Sequence, residues 1–87
     1  MGKVHYIRIQ EVYYDRVISG NKTFEIRLND RDYQVGDKLV MECIYPEDTL
    51  HLPDINPKVG ADIGYITPFM QKDNWVVMSL LNVKRVD

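Results

Sequence analysis

The chain has 87 residues, 45% of them hydrophobic and 28% charged, which fits one folded domain spanning 1–87 and excludes a disordered or low-complexity protein. A net charge of -2 argues against a surface that attracts polyanions indiscriminately, and a single cysteine, Cys43, excludes an internal disulfide or a cysteine zinc cluster. The longest uncharged apolar stretch, Trp75 to Leu81, is far shorter than the roughly 20 residues of a membrane helix, and no charged-then-apolar leader opens the sequence, so a cytoplasmic, monomeric protein without membrane contact is expected.

From Lys3 to Ile9 the side chains alternate, His5, Ile7 and Ile9 on one face and Val4, Tyr6 and Arg8 on the other, which predicts a first strand. Glu11 to Ser19 places Tyr13 or Tyr14, Val17 and Ile18 at helical spacing, and Gly20 follows where a left-handed helix stop is wanted. The next run, Lys22 to Leu28, reads as a strand with Phe24, Ile26 and Leu28 toward the core and Thr23, Glu25 and Arg27 on the opposite face. Its position suggests pairing with the first strand. A polar loop, 29–34, leads to a strand from Asp37 to Tyr45 that does not alternate cleanly. Prolines and aspartates from Pro46 to Pro57 predict a long connection. Val59–Thr67 and Trp75–Val83 then read as a closing hairpin. Short strands around one helix predict an α+β fold: a small, partly closed mixed β-barrel of about five or six strands, with the helix between the first two.

Gly20, Lys22, Glu25 and Arg27 form the run Gly-x-Lys-x-x-Glu-x-Arg, and Gly36-Asp37 follows before the next strand. This pattern, carried by roughly His5 to Leu39, resembles the ASCH domain family within the PUA-like β-barrels, and in particular its short bacterial and phage members of unassigned function. The resemblance implies a cleft between the helix and the signature strand, lined by Lys22, Glu25 and Arg27, that takes single-stranded RNA or a nucleotide. It also implies two alternatives. Some members look like amidohydrolases acting on modified nucleosides, with a threonine three residues after the lysine; here that position is Glu25, and Thr23 lies in a different register. Others look like ribonucleases, for which Lys22 as general base, Arg27 as clamp on the transition state and Glu25 beside them are the candidate catalytic residues. A phage-type protein-interaction factor is a third class.

Chemistry points to the same segment. Residues 1–40 hold seven basic side chains against six acidic ones, whereas 41–87 hold four against seven, so an anion site belongs in the first half. Glu25 and Arg27, two apart on a strand face, can pair and still leave guanidinium donors for a phosphate. Arg31 lies in the loop beside them, with Tyr33 as the candidate for stacking on a base. His5 is placed in the same cleft as a donor or proton carrier. Asp37 is read as structural, its carboxylate holding turn amides. The two histidines and one cysteine lie too far apart in sequence to suggest a metal site, and no cofactor is expected.

Overall fold

A computed structural model describes residues 2–45 and 56–86. The chain runs β1 (Val4–Gln10), α1 (Glu11–Ile18), β2 (Phe24–Leu28), β3 (Lys38–Ile44), β4 (Lys58–Thr67) and β5 (Trp75–Val86). The fold is α+β: one mixed sheet in the order β1-β3-β4-β5-β2, curled into a half-barrel with the short helix against it. The predicted connection at residues 46–55 lies outside the described residues.

Each strand that builds the core does so by simple alternation. In β1 His5, Ile7 and Ile9 turn inward, and in β3 Leu39, Met41 and Cys43 do the same, so the run that looked irregular alternates after all. Val59, Ala61 and Ile63 of β4 and Val76, Met78 and Leu80 of β5 complete the interior. Burial pushes the Cys43 thiol above its usual range, which makes it an inert core residue. Register shifts between Gly60 and Asp62 and between Ile63 and Tyr65 interrupt the β4–β5 ladder, and such bulges increase the local twist that curls a sheet.

The helix ends where the sequence reading puts its stop. Gly20 adopts φ +87°, its amide donating to Val17, and the Lys22 amide returns to the Arg16 carbonyl. Tyr14 and Val17 are the buried pair on α1, which leaves Tyr13 on the outer side.

Two expectations are corrected. β1 does not pair with the signature strand: it pairs in parallel with β3, with α1 and β2 forming the crossover that a parallel pair requires, while β2 pairs antiparallel with β5 at the far edge. The two strands are therefore the two open edges of the sheet. The phase of β2 is also inverted. Glu25 and Arg27 sit opposite Met78 and Val76 and face the interior, and Phe24, Ile26 and Leu28 are the exposed residues, each more than 40% accessible. The inversion is tolerated because the inward carboxylate meets two cations and so is never buried alone.

Candidate functional site

Because the sheet is curled and unclosed, β1 and β2 confront each other across a seam. Side chains span it. Arg27 Nη2 donates to the Arg8 carbonyl at 2.5 Å, and Arg31 Nη1 donates to the Tyr6 carbonyl at 2.7 Å. On the other edge, Lys22 Nζ donates to the Phe24 carbonyl at 2.6 Å. These three cations occupy edge carbonyls that would otherwise invite strand pairing.

At the centre of the seam lies Glu25, which is 5% exposed. Lys22 donates to its Oε1, and Arg27 Nε donates to Oε2 at 2.8 Å. Both carboxylate oxygens are thereby satisfied, and the network carries one net positive charge. A carboxylate gripped from both sides fixes the heads of its partners, so the acid works here as the positioning residue for Arg27.

Two adjoining hollows open on either side of this network. The larger, about 790 Å³, runs along the seam between β1 and β2 and is faced by Arg8, Arg27 and Arg31 with Tyr6, Tyr13 and Trp75 on its walls. The smaller, about 530 Å³, is bounded by Tyr13, Phe24 and Trp75 with Arg16 and Lys22 at its side. Tyr13, Glu25, Ile26 and Trp75 border both. Arg8 reaches into solvent, its Nε 4.0 Å from Glu42 Oε1. Arg27 and Arg31 each keep guanidinium donors beyond those spent on the seam.

The candidate residues named from sequence fall into two groups. Glu25, Arg27 and Arg31 come together at the seam, as does Lys22 through Glu25, although Lys22 fronts the smaller hollow and its ammonium is engaged as a donor on two oxygens. His5 lies away from the seam, and Tyr33 borders the larger hollow as a buried side chain. His5 does not face the seam: it is buried and donates through Nε2 to Asp37 Oδ2 at 2.8 Å. Tyr33 is only 3% exposed, its ring set edge-on to His5 at 4.8 Å between centroids, so no face is offered for stacking. The loop that carries it folds back because the Tyr33 amide donates to Asn29 Oδ1 at 2.9 Å. Burial raises the Tyr33 hydroxyl above its ordinary range, with Arg31 and Arg27 opposing.

Asp37 serves the turn role read from sequence. It accepts from His5, from the Lys3 amide at 2.9 Å and from the Gln34 amide at 3.0 Å, next to Gly36 at φ +93°. The His5 hydrogen bond, followed by that of the Lys3 amide, holds the carboxyl below its usual range.

Sequence reasoning does not single out Arg8, and it counts Tyr6, Tyr13 and Trp75 among aromatic residues open to base stacking but mostly expected in the core. For Arg8 and Tyr6 the signal was present, since both lie on the outward phase of β1. Trp75, first in its strand directly after the turn residue Asn74, was also placed where one side is open. Among the described residues, no three His, Cys, Asp or Glu side chains are grouped to hold a metal ion, and no helix is long and apolar enough to cross a membrane.

Comparison with known proteins gives two matches. Residues 4–80 match the family described as Domain of unknown function (DUF3850). The chain is also 39% identical, over 41 residues, to an uncharacterized 12.9 kDa protein in the GpA 3' region of Escherichia phage P2. That alignment takes in 47% of this chain and 38% of the phage protein's length.

Proposed function

Because the chain belongs to the DUF3850 family, whose description assigns no activity, we propose from its geometry that it is a binding module for single-stranded RNA or a nucleotide. The observation that carries this reading is the seam itself: Arg8, Arg27 and Arg31 aligned along one cleft whose walls include Tyr6, Tyr13 and Trp75. Guanidinium groups suit phosphate through paired hydrogen bonds, and exposed aromatic faces suit unpaired bases. The resemblance of Gly20, Lys22, Glu25 and Arg27 to the ASCH signature supports the same assignment. The engagement of Lys22 as a donor to Glu25 and Phe24 favours binding over a ribonuclease in which that lysine takes a proton.

Few phosphates can be contacted by three arginines, so binding is local and its salt dependence shallow. Fluorescence anisotropy of a labelled short RNA tests this. The expected slope of log K against log salt is about -2, from roughly 0.7 counterions released per phosphate. Removing Arg27 and Arg31 together should abolish the binding and its slope. Unchanged affinity in that double variant would refute the assignment.

A further inference from the structure

The aromatic walls of the smaller hollow stand outside the buried core. Tyr13 is 46% exposed, Phe24 41% and Trp75 38%, and none of the three belongs to the buried core. One exposed aromatic residue is ordinary on a protein surface; three around one concavity, contiguous with an arginine-lined cleft, make a built site. We propose that this hollow is the seat of a nucleobase, with the attached phosphate reaching Arg27 and Arg31 in the adjoining cleft. The assignment rests on the nucleotide-binding reading of that cleft and specifies where the base goes.

Three features of the site support it. The hollow and the cleft share the walls Tyr13, Glu25, Ile26 and Trp75, so one nucleotide can place its base in the first and extend its phosphate past the Glu25 network to the second. Lys22 Nζ stands 5.6 Å from the Tyr13 ring centre and 5.1 Å from that of Phe24, and two of its donors are spent on Phe24 and Glu25. An ammonium has a third donor, which is available to a carbonyl oxygen on a base edge. The rim is basic, with Arg16 beside Lys22. That charge attracts an anionic ligand.

Trp75, the sole tryptophan, borders both hollows and so reports a base in either, whereas Asn21 and Phe24 border the smaller one and not the cleft, so their amide shifts report on the seat. The full chain is titrated with uridine monophosphate, a tetrauridylate and ribose 5-phosphate, following tryptophan fluorescence and backbone amide shifts together. Uridine monophosphate and the tetrauridylate are expected to quench Trp75, whereas ribose 5-phosphate shifts the Arg27 and Arg31 signals and leaves the emission unchanged. F24L, which changes the seat and not the cleft, should weaken tetrauridylate binding about tenfold, the scale of one lost base stack. The Phe24 side chain is exposed, and the amide spectrum of the variant verifies its fold. Tetrauridylate binding at the arginines with unmoved Asn21 and Phe24 amides and undiminished affinity in F24L would overturn the base seat while the cleft reading stands. Absence of binding by all three probes would overturn both. Quenching by a peptide alternating glutamate and leucine, with none by the uridine probes, would also overturn the seat and make the hollow a protein-docking site.

Discussion

Arg27 donates to the backbone carbonyl of Arg8 across the open seam of the half-barrel, at 2.5 Å, while its Nε holds Glu25. One side chain thus joins the two edges of the sheet and the buried carboxylate between them. Replacing it by alanine should lower stability by about 2 kcal/mol, less than a fully orphaned buried charge because Lys22 still pairs with Glu25. Urea denaturation measures the loss. The freed edge of β1 should also promote self-association, visible as a concentration-dependent rise in sedimentation coefficient. R27K preserves charge without the planar fork, so it should recover only part of the stability.

Glu25 should be the costlier residue to neutralise. Glu25→Gln leaves two cations facing each other in a poorly solvated place, and a loss of about 3 kcal/mol is expected. A K22A/E25A double variant should be more stable than the sum of the single losses implies. Additive losses in the thermodynamic cycle would mean that the pairing contributes nothing.

Asp37 introduces a pH dependence with a definite sign. Its folded-state pKa is depressed, chiefly by the His5 hydrogen bond, so its contribution is complete above the unfolded carboxyl value of about 3.9 and fades as pH falls through the lower folded value. D37N should flatten the acid limb of the stability profile below about pH 4. Denaturation curves from pH 2 to pH 6, as a range of about four units around that value, check it. The substitution also removes acceptor capacity from the buried turn, so D37N should be less stable than the native protein at neutral pH.

Tyr33 and Tyr13 should behave in opposite ways. Y33A opens the core beside His5 and should cost about 3 kcal/mol or more. Y13A removes an exposed ring and should change stability little. Equal thermal shifts in the two variants would contradict this division between core and surface.

Much of this architecture was readable from local pattern. The alternation in β1, the stop at Gly20 and the turn role of Asp37 each depend on residues close together in the chain. What escaped depends on distant partners. Phe24, Ile26 and Leu28 carry the signal of a core face, yet β2 is turned over, because Lys22 and Arg27 neutralise Glu25 and the register with β5 sets its phase. Apolar alternation identifies a strand and its two faces; which face is inside is settled by pairing. The neighbours of β1 and β2 were likewise invisible, since a parallel partner lies beyond a crossover. Tyr33, read as a loop residue able to stack on a base, is instead brought inside by the hydrogen bond from its amide to Asn29 and by packing against His5.

The seam between β1 and β2 as the ligand site is tested most directly by an amide-shift titration of the full chain with a short single-stranded RNA at low salt. The expected shifts cluster at Tyr6–Arg8, Glu25–Arg31 and Trp75, the residues that border the cleft. Shifts confined to the β3–β4 surface, or none at saturating RNA, would contradict it.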